Sequence, residues 1–292
     1  GHSLLWCGLI PVFVDINPKT FNIDPNSIEK KITNKTSAII AIHVFGNPCP
    51  IDEIQKIADK YNLKIIYDAA HALGSKYKNK SIANFGDAVI FSLTPTKVLT
   101  TGEGGLIVVR NKKLERILKL GRDNGDSFNR DEEFLGITAR MNEFSAILGI
   151  EGLKILPKAL KTRLERVSLY KKELADIPGI SFQQILPSCF SVYKDLTILI
   201  DEKKFGKSRD DLSQELLNNK IETKVYFYPS LHKKKVYKKY RKIHLPNTDL
   251  VSKHIMSLPL YSHMPKKEII KVCSVIKKFY KKYESARYRS SS

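Results

Sequence analysis

A single lysine, Lys97, follows the apolar run Ala88-Val89-Ile90-Phe91-Ser92 and precedes the turn-rich stretch Leu99-Thr100-Thr101-Gly102-Glu103-Gly104-Gly105. A lysine held in a desolvated pocket loses part of its preference for charge and becomes nucleophilic toward a carbonyl, which is the requirement for a Schiff base. Asp68 stands at the end of an equally apolar run, Leu63 to Tyr67, and opens Asp68-Ala69-Ala70-His71-Ala72. A carboxylate set against a pyridine-type nitrogen keeps that nitrogen protonated, and the ring can then absorb the electrons released when a Cα–H bond breaks. Taken singly, these residues have plainer readings. A strand-end Asp reads as a helix N-cap, a lone lysine as a surface residue and His71 as a packed or capping histidine. The glycines at 102, 104 and 105 read equally as a tight return into the next strand.

The elements that must position these groups follow from periodicity. Short β-rich runs alternate with helical patterns through the first half, as in parallel sheets covered by helices. Strands are predicted at Pro11–Asp15, Ser37–Val44, Leu63–Tyr67, Ala88–Ser92 and Leu106–Val109, the second of them apolar enough to be buried on both faces. Ile51, Ile54, Ile57 and Ala58 recur at helical spacing between the second and third. After a turn-rich segment from Gly121 to Asp131, helical stripes run through Met141 to Leu148 and Leu160 to Leu174, with a break expected at Pro157. Strand, helix, strand and terminal helices follow: Tyr193–Ile200, Ser208–Asn218 and Glu222–Tyr228. The architecture is α/β, with a large domain over 1–154 and a smaller α/β domain over 155–292. Ligands of such sheets collect at the carboxyl ends of the strands, where both Asp68 and Lys97 fall. Together the two residues supply what pyridoxal-phosphate (PLP) chemistry needs.

Composition narrows the alternatives. A chain of 292 residues with 42% hydrophobic content can bury one large core or two smaller ones. No apolar run approaches the roughly 20 residues that span a bilayer, so no membrane association is expected. The four cysteines, Cys7, Cys49, Cys189 and Cys273, are widely separated and lack metal-ligand spacing, which fits a reducing cytoplasm and no metal site. The net charge of +20 is lopsided, with 31 Lys and Arg against 14 Asp and Glu in residues 151–292. Its clusters, such as Lys233-Lys234-Lys235 and Arg241-Lys242, have the spacing of solvated faces, and no nucleic-acid partner is expected.

The ordered set Pro11-Val12-Phe13-Val14-Asp15, His43-Val44-Phe45-Gly46, Asp68-Ala69-Ala70-His71-Ala72-Leu73-Gly74, Phe91-Ser92-x-x-Pro95-Thr96-Lys97 and Thr100-Thr101-Gly102-Glu103-Gly104-Gly105 resembles the DegT/DnrJ/EryC1/StrS aminotransferases. Gly136-x-x-x-Arg140-Met141-x-Glu143 and Leu258-Pro259-Leu260-Tyr261 extend the resemblance to about residue 280. It implies the fold-type I aminotransferase fold, a homodimer with a shared active site, and transfer of an amino group from glutamate to a keto group of a nucleotide-linked sugar. By position, the resemblance makes Lys97 the Schiff-base lysine and proton carrier, and Asp68 the partner of the pyridine nitrogen. His71 falls near the ring's 3′-oxygen, where the family usually has glutamine, and Ser92 falls on the cofactor phosphate. Thr138 stands where many members have an asparagine that reaches the phosphate of the partner subunit, and His232 resembles a position near the substrate sugar.

The family pattern also includes a segment ahead of the point matching Gly1, with a phosphate-binding turn and an aromatic that stacks on the ring. That segment is not in this sequence, so a truncated copy is expected, with weakened cofactor retention. Two rivals remain. The related sugar dehydratases carry histidine at the lysine position, and Lys97 argues against them; a noncatalytic scaffold or binding module of the same fold is the other.

Overall fold

The computed structural model describes residues 1–126, 132–240 and 243–290, the last six by backbone alone. Residues 127–131 of the predicted surface loop and the basic pair Arg241-Lys242 lie outside the described residues. The chain runs α1 (His2–Trp6), α2 (Pro25–Glu29), β1 (Ala38–Ile42), α3 (Ile51–Tyr61), β2 (Lys64–Asp68), β3 (Lys76–Tyr77), β4 (Lys80–Ser81), β5 (Ala88–Ser92), β6 (Gly105–Val109), α4 (Lys112–Gly121) and α5 (Glu143–Glu173). It continues through β7 (Ile180–Phe182), β8 (Cys189–Phe190), β9 (Leu196–Ile200), α6 (Glu202–Phe205), α7 (Arg209–Asn218), α8 (Pro246–His254), β10 (Ile255–Leu258) and α9 (Lys266–Ser290). Two compact units result: 36–158 with 188–191, and 1–35 with 159–187 and 192–292.

The first unit is built on a sheet of order β1-β2-β5-β6. β1, β2 and β5 are parallel, and β6 returns antiparallel to β5. Strand side chains alternate between faces, so Ile39, Ala41, Ile65, Tyr67, Val89 and Phe91 are buried on one side. The apolar stripe of α3, Ile51, Ile54, Ile57 and Ala58, is buried as well. Each such isoleucine contributes about 1.5–3 kcal/mol by leaving water. The helix stops at Asn62, which takes a left-handed conformation (φ 50°) and returns its amide to Ala58 and Asp59. The opposite face differs from expectation: β1 is not buried on both sides, because Ile40 and Ile42 are 38% and 45% exposed.

The second unit carries the antiparallel sheet β10-β9-β7. Val167, Tyr170, Leu196, Ile198, Ile200, Leu212, Leu216, Met256, Ile269 and Ile276 meet in one apolar core. α7 starts on a capping box in which Ser208 and Asp211 satisfy each other's backbone amides. Three features of the chain differ from expectation. Pro11–Asp15 forms no strand; Asp15 instead accepts bonds from the first turn of α8. Glu222–Tyr228 contributes only the bridge Lys224↔Ser257 before turning at Val225–Tyr228. α5 runs unbroken through Pro157, which removes a single backbone donor on an exposed side of the helix.

Candidate active site

Asp68 and Ser92 are the last residues of neighbouring parallel strands, β2 and β5. Asp68 pairs with Ile90, so Ser92 lies two residues further on, and alternation sends both side chains to the same face of the sheet. Their Cα atoms are therefore roughly 8 Å apart, from one strand spacing and two residue rises. The Asp68 carboxylate accepts the amide of Ala70 at 3.0 Å, and Ala69 donates to the Ile90 carbonyl at 2.8 Å, which fixes the strand end. Ser92 Oγ lies 3.2 Å from Thr94 Oγ1, placing two hydroxyls side by side.

Lys97 sits in the loop between β5 and β6, half-buried, its amide bonded to the Thr94 carbonyl at 3.0 Å. Buried Leu93 anchors both ends of that loop: its amide donates to Gly104, and its carbonyl accepts from the Thr101 amide and the Thr100 hydroxyl. Gly104 needs to be glycine, since its φ is +147° and a Cβ there would come within 2.8 Å of Thr101 Oγ1. Two glycines of α5 bring the helix onto the same loop. A Cβ at Gly149 would stand 3.2 Å from Thr101 Cγ2, and one at Gly152 would stand 3.2 Å from Leu99 Cγ.

The strand predicted over Ser37–Val44 ends at Ile42 and passes into a turn at Val44–Gly46. His43 donates its amide to the Asp68 carbonyl at 3.0 Å, and its Nδ1 accepts the Cys49 amide at 2.9 Å, which leaves the proton on Nε2. Its ring stacks on Tyr67 with centroids 4.8 Å apart. Complete burial pushes the His43 pKa down to about 3, so the ring is neutral. Burial likewise holds the Cys49 thiol well above its ordinary range, with the Cys189 and Asp68 charges adding to the effect.

His71 is half-buried three residues after Asp68, its ring parallel to that of Phe45. Thr138 is exposed, and its hydroxyl donates to Asn124 at 2.8 Å. His232 belongs to the other unit, where it is 2% exposed, with Nε2 3.3 Å from Asp249 Oδ1. Burial lowers its pKa, and the Asp249 charge opposes that shift. Asp68, His71, Ser92 and Lys97 thus share one unit and the loops at the carboxyl ends of its strands. Thr94, His43 and Phe45 were given no role by the sequence, although His43 and Phe45 lie in the motif His43-Val44-Phe45-Gly46 and Thr94 stands two residues after Ser92.

The donor set fits PLP: a strand-end carboxylate for a ring nitrogen, a pair of hydroxyls for a phosphate, and a half-buried amine one short loop away.

Comparison with known proteins shows the family. The profile of the DegT/DnrJ/EryC1/StrS aminotransferase family matches residues 1–277. The chain is 35% identical over 286 residues to the dTDP-4-amino-4,6-dideoxy-D-glucose transaminase of Escherichia coli, covering 94% of this chain and 75% of that protein. Its fold matches DesI, crystallised in the presence of its TDP-sugar product, with a TM-score of 0.90 and 30% identity, over 99% of this chain and 74% of that one. Helicobacter pylori PseC, an aminotransferase involved in the biosynthesis of pseudoaminic acid, matches with a TM-score of 0.91 and 27% identity, over 97% and 77% of the two chains. The chain belongs to the DegT/DnrJ/EryC1/StrS aminotransferase family.

Proposed function

We propose that this protein is a PLP-dependent aminotransferase that moves an amino group from glutamate to a keto group of a nucleotide-linked sugar, for amino-sugar synthesis. The observation that carries the reading is the joint placement of Asp68, Ser92 and Lys97 at the ends of two adjacent strands and the loop that follows. When bound, PLP supplies a ring that takes up the electrons released as the donor's Cα–H bond breaks. Asp68 would hold the proton on the ring nitrogen. Ser92 and Thr94 would donate hydrogen bonds to the phosphate. Lys97 Nζ would hold the cofactor and would serve as the base that takes the proton from Cα. His71 would meet the 3′-oxygen, and Thr138 of one subunit would serve the phosphate held by the other. His232 contributes to the sugar site.

A homodimer is supported by the first half of α5, where Phe144, Ile147, Leu148 and Ile155 are exposed, Phe144 at 82%. Four free cysteines, and no helix among the described residues long and apolar enough to cross a membrane, support a cytoplasmic enzyme. The dehydratase chemistry is disfavoured because Lys97 is a lysine. The scaffold reading is disfavoured because Asp68, Ser92 and Lys97 are all present.

The test is to incubate the protein with PLP and glutamate and a panel of dTDP- and GDP-linked keto sugars, reading product masses. A mass change of keto to amine on one or more sugars is expected. Binding of PLP with no transfer to any sugar would contradict the proposal.

A further inference from the structure

Phe45 has a backbone that suits glycine, with φ 58° and ψ 17°, yet carries a large ring that is 1% exposed. Bulky residues occupy the left-handed region only where their surroundings over-determine it. Those surroundings are specific. His43 Nδ1 clamps the far side of the turn through the Cys49 amide, and the Gly46 and Asn47 amides close back on His43 and Val44 at 3.1 Å each. The turn is then tied to the loop after β2 at both ends. The His43 amide bonds the Asp68 carbonyl, and buried Ser75 donates its hydroxyl to the Gly46 carbonyl at 2.6 Å. Between these ties, the Phe45 ring lies parallel to the His71 imidazole, 12° apart in plane and 6.2 Å between centroids, within the range of offset stacking.

We propose that Phe45 is a positioning residue that fixes the plane of the His71 ring in the loop that starts at Asp68. The inference rests on the PLP reading, in which His71 meets the cofactor's 3′-oxygen. Neither Phe45 nor the turn holding it touches the reacting atoms; the turn acts through the loop that starts at Asp68. A leucine at 45 fills much of the same space without a planar face, whereas tyrosine keeps the face.

The experiment is long-range 1H–15N spectroscopy of 15N-histidine-labelled protein without added cofactor, with the His71 ring assigned by its disappearance in His71→Gln. One sharp set of His71 ring shifts is expected for wild type and Phe45→Tyr, and shifts broadened by ring motion for Phe45→Leu. In the loaded enzyme, Phe45→Leu should lower kcat about tenfold, as expected for a misplaced group, with the sugar KM within about twofold. Unchanged His71 shifts in folded Phe45→Leu would overturn the proposal, whatever the rate. Should that variant not fold, Phe45→Met reads the same signal with side-chain volume preserved. Because the spectra need no cofactor, they separate this proposal from the PLP reading, which fails on its own if Lys97 forms no borohydride-reducible adduct.

Discussion

Asp68 and Ser92 leave the sheet on the same face, Asp68 opposite Ile90 and Ser92 two residues beyond it on the adjacent strand. This relationship separates two kinds of defect. In the PLP reading, Asp68→Asn removes the charge that would keep a ring nitrogen protonated, and should cut kcat by about 100-fold or more while leaving the fold intact. Ser92→Ala removes one of two neighbouring hydroxyls and should mainly weaken cofactor retention. Steady-state kinetics with PLP titration distinguishes them; equal loss of kcat in both would contradict the assignment of roles.

His43 makes stability depend on pH. Its ring is buried and neutral with a folded pKa of about 3, whereas the unfolded chain titrates near the ordinary histidine value of 6.5. Below that value the unfolded state binds a proton that the folded state does not, so stability is full above pH 6.5 and falls as pH drops toward 3. The slope from this one group is up to about 1.4 kcal/mol per pH unit. Urea denaturation between pH 6.5 and 4 should show a shallower loss in His43→Gln than in wild type. Parallel slopes would count against a neutral, buried imidazole.

In the second unit, Asp15 caps α8. Burial alone would raise its carboxyl pKa, but hydrogen bonds from the Thr248 side chain, the Thr248 amide and the Asn247 amide outweigh it, and the net shift is downward. A lowered folded pKa means stability that is present above the unfolded carboxylate range and lost as pH falls through the folded value. Asp15→Ala should therefore destabilise by about 1–2 kcal/mol at pH 7, the worth of a helix cap. The difference from wild type should shrink at pH 2 to 3. Denaturation curves at the two pH values check both the size and the sign.

The cysteines should separate by burial. Cys7 is exposed, while Cys49 and Cys273 are buried, with burial holding the first thiol well above its usual range and pushing the second to about 12. Thiolate is the reactive form. Brief alkylation of the native protein followed by peptide mass analysis should label Cys7 and spare Cys49 and Cys273. Early labelling of Cys49 would mean that the turn after β1 opens readily.

Much of the site was legible because strand-end chemistry has a one-dimensional signature. An apolar run ending in Asp68, and another ending at Ser92 just before Lys97, locate the carboxylate, hydroxyl and amine without coordinates. The parallel order of β1, β2 and β5 was likewise implied by helical spacing between apolar runs. What stayed hidden depends on conformation. Nothing in Val44-Phe45-Gly46 announces a phenylalanine at positive φ, and a histidine accepting an amide six residues ahead looks like the end of a strand. Pro11–Asp15 misled because β-rich composition reports extended backbone, which Asp15 uses to reach the α8 amides instead of pairing in a sheet. Gly149 and Gly152 were passed over inside a helix, where small residues show their purpose only once Thr101 and Leu99 are placed against them.

The central claim is that Lys97 Nζ is the amine that takes the cofactor. Reduction of the PLP-treated protein with borohydride, followed by peptide mass analysis, tests it directly. The expected result is a pyridoxyl adduct on the peptide containing Lys97, absent in Lys97→Ala together with all amino transfer. A stoichiometric adduct on another lysine, or transfer that survives Lys97→Ala, would contradict it.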